Sequence, residues 1–303
     1  MNNYIDAFYE QFEEEKLLAN ANMSEYTSFK VGGTADLMVM PSSGEEIKRA
    51  IRLCKENSVP YFVMGKGSNL LVKDAGFRGV VINLSKGLEK IELLDDMTIK
   101  AEAGITLAKL AGFAAELGLS GLEFASGIPG SLGGAVYMNA GAYDYDMSGV
   151  VSCVNIIDEV GNEVVMQAGD MALGYRTSVF HSKKYIITDC TLKLQAGDKG
   201  EIKAKMLELN NRRKISQPLD LPSAGSTFKR PTGYYAAKLI DDSGLRGFSI
   251  GGAMVSEKHA GFVVNYNNAT ASDILALMKH IQNTVFEKFG VTLVAEVEVL
   301  GEE

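Results

Sequence analysis

Basic charge, cysteine, histidine, proline and long apolar runs are all scarce in this chain of 303 residues. Thirty Lys and Arg stand against 38 Asp and Glu, a net charge of −8 at pH 7, with a sequence pI near 5.1. A phosphate backbone demands clustered cations, so this balance argues against nucleic acid as a partner. Cys54, Cys153 and Cys190 lie far apart and form no CxxC. That spacing excludes a disulfide framework and a thiolate metal site, and it fits a reducing compartment. His181, His259 and His280 share no ligand spacing, so no metal is expected. No apolar run reaches the roughly 18 residues of a membrane span, and the acidic start MNNYIDAFYEQFEEEK lacks the apolar core of a signal peptide. A cytoplasmic enzyme or binding protein is expected, without a membrane or an obligate protein partner.

What is present is enough apolar material for a substantial interior. The chain is 46% hydrophobic and 22% charged, with a mean hydropathy near zero, which excludes disordered and fibrous classes. The length predicts two or three domains. The 32 glycines far outnumber the 6 prolines, and glycine serves positions that need positive φ or close approach to a ligand.

Apolar periodicity predicts an amphipathic helix over residues 4–20 on Ile5, Phe8, Phe12 and Leu17. A strand at 36–40, a helix at 43–58 started by a serine cap, and a strand at 60–64 form a βαβ unit. Short apolar runs between turns predict strands at 70–72, 79–84, 91–94 and 98–101, followed by a helix at 106–117 ended by Gly118. A β-rich stretch fills 150–194. Beyond it the pattern predicts helices at 201–214, 235–243 and 272–289, and strands at 261–265 and 292–300. In the last of these, alternation sets Glu296 and Glu298 on one face and Val297 and Val299 on the other.

Two glycine segments stand out. Gly65-Lys66-Gly67-Ser68-Asn69 follows the strand PYFVM, and its backbone N–H groups can form a nest for a phosphate or simply a tight turn between strands. It is neither a Rossmann fingerprint nor a Walker loop, since Leu70 stands where the third glycine of GxGxxG would be. Ser126-Gly127-Ile128-Pro129-Gly130-Ser131-Leu132-Gly133-Gly134 packs four glycines and a proline into nine residues. Interior glycines cost a helix about 1 kcal/mol each relative to alanine, so this segment is expected to line a ligand rather than form an ordinary helix. Two such loops on β scaffolds point to a cofactor with a central diphosphate.

GKGSNLLV and SGIPGSLGGAVYMNAGAY resemble the FAD-binding half of the UDP-N-acetylenolpyruvoylglucosamine reductases, bacterial cell-wall enzymes of the vanillyl-alcohol-oxidase/PCMH-type flavoprotein fold. The likeness continues in family order through GYRTSVF, AGSTFKRP, AAKLIDDSGLRG, SEKHAGFVVN and AEVEVLG, nearly the whole chain. It implies an α+β protein with two FAD-binding subdomains, residues 1–86 and 87–200, and a C-terminal α/β substrate-binding domain, residues 201–303. The implied cofactor is non-covalent FAD, held by Gly65, Lys66, Gly67, Ser68, Asn69, Ser126, Gly127, Ile128, Pro129, Gly130, Gly133 and Gly134. The implied reductant is NADPH, and the implied substrate is UDP-N-acetylglucosamine enolpyruvate. After His181-Ser182-Lys183-Lys184 the chain enters the strand YIITDCTLKL directly, as in the branch of the family without an extra substrate-covering loop.

On residue type alone Arg176 reads as an arginine packed on Tyr175 or Phe180, and Ser226 as a turn or cap. The resemblance implies more: Arg176 at the substrate carboxylate, Ser226 as the acid that protonates C2, and Glu296 as the catalytic glutamate. A fixed guanidinium suits the enediolate charge that builds when hydride reaches C3. Lys214 matches the family's substrate lysine, with Lys229, Arg230, Tyr234 and Lys238 as companions. Arg230 stands where one branch has asparagine, and Ala295 where proline is usual. With no Rossmann site present, the nicotinamide is expected to share the substrate's cleft. The rivals are an oxidase of the same fold that passes electrons to oxygen, and a non-catalytic nucleotide-sugar-binding protein. The presence of Arg176, Ser226 and Glu296 argues against the second.

Overall fold

The computed structural model describes residues 3–301. Their contacts divide the chain into two compact units. The first comprises the residues up to Ala19, Leu37–Lys66 and Gly79–Arg213; the second comprises Asn20–Asp36, Gly67–Arg78 and the chain from Lys214 onward. The chain therefore passes from one unit to the other inside the first glycine segment, after Lys66, and again after Arg213.

Each unit closes around its own apolar interior. In the first, Leu37, Ile47, Ile82, Ile99, Leu110, Leu132, Val154 and Leu192 are buried together. Its five-stranded antiparallel sheet runs in the order Glu163–Gln167, Val151–Ile157, Ile186–Lys193, Thr98–Glu102, Ile91–Asp95. The helix Gly44–Glu56 starts where Ser43 Oγ accepts the Glu46 N–H at 3.3 Å, a cap contributing about 1 kcal/mol. The helix Leu107–Leu117 stops at Gly118, whose φ of +74° is open to glycine without steric cost. In the second unit the helix Ala271–Phe289 buries Ile274, Leu277, Met278, Ile281 and Val285, the apolar face its sequence predicted. It packs beside the antiparallel strands Ser249–Ile250, Ala253–Val255 and Val263–Asn265. Asp74 caps its start, accepting the Ala271 and Ser272 N–H groups at 2.7 and 2.8 Å. A further sheet has the order Leu17–Asn22, Thr34–Val39, Phe77–Asn83, Tyr61–Met64. No described helix is long and apolar enough to cross a membrane.

Three expectations are corrected. The first helix ends at Tyr9 instead of running to residue 20, and Leu17–Asn22 is a strand. Phe8 and Phe12 are buried as the periodicity required. However, the carbonyl of Gln11 accepts Arg49 Nη1 at 2.8 Å in place of a helical N–H, and Leu17–Asn22 pairs into the sheet.

The glycine-rich segment does contain a helix, Leu132–Tyr137. Its first N–H groups are satisfied from outside: Leu132 N donates to Ile105 O at 2.9 Å and Gly133 N to Ala103 O at 2.8 Å. Glycine is required there by packing, since a Cβ on Gly133 would lie 2.8 Å from Ala103 Cβ.

Residues 292–300 are not one strand. Glu298–Leu300 forms a strand, in parallel with Leu70–Val72, while the stretch before it pairs antiparallel with 227–229 through the single bridge of Ala295 to Phe228. The alternation breaks accordingly: Val297 is buried and Val299 is exposed.

Gly133→Ala is expected to destabilise the protein by about 1–3 kcal/mol through overpacking against Ala103. Gly134→Ala, whose Cβ would meet nothing nearer than Ser131 Oγ at 3.5 Å, is expected to stay within about 1 kcal/mol of the parent. Urea denaturation of the two variants without cofactor checks this.

Candidate active site

In the first unit the two glycine segments meet. A Cβ on Gly65 would lie 2.0 Å from Ser131 Oγ and 3.1 Å from Ser131 Cβ, so the first segment passes closely against the second, and a side chain there would turn the Ser131 hydroxyl out of its place. Gly130, with φ +150°, turns the chain just before Ser131, and its carbonyl accepts the Leu107 N–H at 3.2 Å. At the other end of this segment Gly127 faces the helix Lys199–Ser216. A Cβ there would lie 2.2 Å from Asn210 Oδ1, and Arg213 Nη1 donates to Gly127 O at 2.6 Å.

Arg213 is a residue that sequence reasoning missed. It lies in a basic run, Arg212-Arg213-Lys214, that reads as cations at a helix end, yet the three side chains part company. Arg212 is exposed and pairs with Glu208 at 2.6 Å. Lys214 is exposed, and its carbonyl accepts Lys258 Nζ at 2.6 Å. Arg213 is buried. Burial pulls its pKa below the usual arginine value, against the opposing effect of Tyr143, whose hydroxyl also donates to Leu209 O at 2.9 Å. A buried cation spent on a loop carbonyl is a device for fixing that loop.

Arg176, also in the first unit, sits at the tip of the turn Gly174–Thr177, whose end residues exchange backbone hydrogen bonds of 3.0 and 3.3 Å. Its φ is +53°, a left-handed conformation costing a non-glycine residue about 1–2 kcal/mol. Its guanidinium donates from Nη2 to Gly141 O at 3.1 Å and from Nη1 to Asn139 O at 3.5 Å. It also lies 5.2 Å from the Tyr175 ring centroid, as the expected packing on Tyr175 had it. Carbonyls carry no formal charge, so these two bonds orient the guanidinium without cancelling its charge. Both acceptors follow directly on the glycine-rich helix, and Asn139 Nδ2 returns a bond to Gly174 O at 3.0 Å.

In the second unit Gly67, Ser68 and Asn69 turn their carbonyls toward protein partners. Gly67 O accepts Ser28 N at 3.1 Å, Ser68 O accepts Ser28 Oγ at 3.3 Å, and Asn69 O accepts Glu298 N at 3.0 Å. In a trans peptide the N–H points opposite the C=O, so the Ser68 and Asn69 N–H groups face away from Ser28. With Gly67 at φ +63°, the segment has a backbone suited to an anion nest. Lys66 is exposed beside it.

Ser226 and Glu296 come from distant parts of the sequence and lie on adjacent backbones. Phe228 bridges Ala295, Lys229 N donates to Val294 O at 2.8 Å, and Glu296 N donates to Thr227 O at 2.9 Å. The register puts Ser226 one residue from the partner of Glu296. Thr227 is buried, and its Oγ1 accepts Val263 N at 2.9 Å, whereas Ser226, following Gly225 at φ +77°, is exposed. Asn69 Nδ2 donates to Glu296 O at 3.0 Å, tying the nest to the same place.

The remaining expected contacts are mixed. Arg230 stacks on the Tyr235 ring with 3.9 Å from Cζ to the centroid. Lys229 is partly buried, and Tyr234 is exposed. Lys238 is engaged by Asp242 at 2.9 Å, one turn along the same helix. His259 accepts the Gly261 N–H on Nδ1 at 3.1 Å, and burial lowers its pKa, which suits a structural histidine. Among the described residues no group of three or more His, Cys, Asp or Glu could hold a metal ion. A surface cleft of about 500 Å³ lined by Lys48, Arg49, Arg52 and Lys55 contains none of the residues expected in the site.

These features fit FAD. The nest suits a diphosphate, and glycine recurs where the backbone must come close. A family model described as "FAD binding domain" matches residues 35–170, and one described as "UDP-N-acetylenolpyruvoylglucosamine reductase, C-terminal domain" matches residues 217–300. The UDP-N-acetylenolpyruvoylglucosamine reductase of Clostridium beijerinckii is 49% identical over 300 residues, 99% of this chain and 98% of that protein. The crystal structure of the enzyme of that name from Thermus caldophilus aligns with a TM-score of 0.81 at 37% identity, covering 94% of this chain and 98% of that one. Alkyldihydroxyacetonephosphate synthase, at 19% identity and a TM-score of 0.50 over 65% of this chain and 40% of its own, shares the fold alone. The chain thus has an α+β, vanillyl-alcohol-oxidase/PCMH-type fold with an FAD-binding domain.

Arg213→Met is expected to weaken FAD binding by roughly tenfold or more, because Gly127 O loses its donor and the loop its anchor. Stability without cofactor should change little, since burying a cation already carries a desolvation cost. Flavin fluorescence titration beside urea denaturation separates the two effects.

Proposed function

The chain belongs to the UDP-N-acetylenolpyruvoylglucosamine reductase family, and from that premise we propose that it catalyses NADPH-dependent, FAD-mediated reduction of UDP-N-acetylglucosamine enolpyruvate to UDP-N-acetylmuramate. Such a product is a peptidoglycan precursor, made in the cytoplasm and serving cell shape and division. The observation that supports the reading is the pairing of 227–229 with 294–296, which sets Ser226 next in the chain to the residue bonded to Glu296, while Asn69 Nδ2 bonds the Glu296 carbonyl. When bound, FAD would supply the redox chemistry, hydride transfer between NADPH and C3 of the enolpyruvyl group.

The protein's own residues have the complementary tasks. Gly67, Ser68 and Asn69 present N–H groups to the diphosphate, and Gly65, Lys66, Ser126, Gly127, Ile128, Pro129, Gly130, Gly133 and Gly134 bring backbone close to the cofactor. Ser226 delivers the proton to C2. A free hydroxyl is a poor acid, so its rigid neighbours must hold it at the reacting carbon. Arg176 meets the carboxylate charge that develops in the enediolate, and Glu296 completes the polar environment. Lys214, Lys229, Arg230, Tyr234 and Lys238 are the cations and aromatics proposed for the UDP-sugar. For Lys238 this requires release from Asp242. The division into residues 1–86, 87–200 and 201–303 belongs to the same proposal.

The test is anaerobic. NADPH should bleach the flavin band of the wild-type protein, and the enolpyruvyl substrate should restore it. In Ser226→Ala, bleaching by NADPH should persist within about twofold, while restoration slows by roughly 10²–10⁴, the range for loss of a positioned acid. Restoration by oxygen alone would support the oxidase reading instead.

A further inference from the structure

We infer that Asn69 is a positioning residue that carries the order of the diphosphate nest to Glu296. This rests on the function proposed above and deepens it. The inference starts from the backbone around Glu296, which belongs to no continuous strand. Up to residue 296 the segment pairs antiparallel with 227–229: Lys229 N donates to Val294 O and Glu296 N to Thr227 O. From residue 298 it pairs in parallel with Leu70–Val72. Glu296 therefore stands where the chain leaves one partner and takes up another, without a regular ladder on both sides.

Asn69 fills that gap. Its main-chain carbonyl accepts Glu298 N at 3.0 Å, and its side-chain amide donates to Glu296 O at 3.0 Å. The side chain acts as a surrogate peptide, extending the parallel ladder one step to the residue the strand has abandoned. Both ends of the 296–298 turn are thus held by one residue, and that residue is the last of the nest. Ser68, the residue before it, is fixed through its carbonyl to Ser28. A ligand that orders the N–H groups of Ser68 and Asn69 necessarily orders the peptide planes on which the Asn69 side chain stands. Glu296 gains the same order, because its carbonyl and N–H are both committed, to Asn69 and Thr227 respectively. Asparagine suits this position through its amide donor: aspartate has the same shape but only acceptors, and would face the Glu296 carbonyl with repulsion.

Amide hydrogen exchange of the full chain, with and without FAD, tests the inference. In the wild type, FAD should slow exchange in peptides covering both 65–70 and 294–299, the latter by about tenfold or more. In Asn69→Asp and Asn69→Ala, protection of 65–70 should remain while that of 294–299 falls to within about twofold of the cofactor-free protein. With FAD bound, restoration of the flavin band by the enolpyruvyl substrate should slow by at least tenfold in both variants, beyond any change in bleaching by NADPH. Retained protection of 294–299 in the variants, or its absence in the wild type, would overturn the inference. Equal slowing of bleaching and restoration would also overturn it, by reducing Asn69 to a cofactor contact. Failure of the wild type to turn over would fall instead on the proposed function, and the exchange data would still judge the link.

Discussion

The absence of a side chain at Gly65 is the constraint on which the first unit's share of the site depends. An added Cβ would lie 2.0 Å from Ser131 Oγ and 3.1 Å from Ser131 Cβ, so any other residue there would have to turn the Ser131 hydroxyl away and press on its Cβ where the loop after the strand Tyr61–Met64 lies against the glycine-rich segment. Their contact turns two remote motifs into one backbone surface. The rest of the unit serves that contact: Leu107 N and Arg213 fix the carbonyls of Gly130 and Gly127, and Ala103 receives Gly133 where a methyl would not fit. Arg176 hangs from the chain that leaves this segment, with a strained backbone and a guanidinium aimed by neutral carbonyls.

The second unit solves a different problem, holding an exposed serine and a carboxylate in fixed register. It does so with backbone. Thr227 is buried and bonded through its N–H, its carbonyl and its hydroxyl, so Ser226 can be exposed without being loosely held. Glu296 is fixed by two partners from different parts of the chain. Preorganisation of this kind costs nothing at the moment of reaction, which is why positioned groups can act where free ones are poor acids.

How much of this was legible in the sequence follows from the range of each interaction. The Ser43 cap, the Gly118 stop and the apolar face of Ala271–Phe289 are local and were read from residue patterns alone. The glycine segments were legible as backbone motifs, but that Leu132–Tyr137 is a helix was not, because its tolerance of glycine comes from carbonyls at residues 103 and 105. The first helix was overextended for a similar reason: Arg49 takes the Gln11 carbonyl. Residues 292–300 alternate like one strand, yet two partners divide them. The arginine at 213 looked like either of its basic neighbours until the fold buried it, and nothing near Asn69 in sequence announces a bond to residue 296. Family resemblance supplied the roles of Arg176, Ser226 and Glu296, which residue type alone left as packing, turn and strand.

The proposed reaction turns on a proton delivered to C2 by a group the protein holds in place. The most direct measurement is turnover of the enolpyruvyl substrate with NADPH in deuterated water, followed by NMR of the product's lactyl group. Deuterium at C2 in a single configuration is the expected result, since a fixed acid that exchanges with solvent can reach only one face. A product with unlabelled C2, or with both configurations there in equal amount, would contradict it.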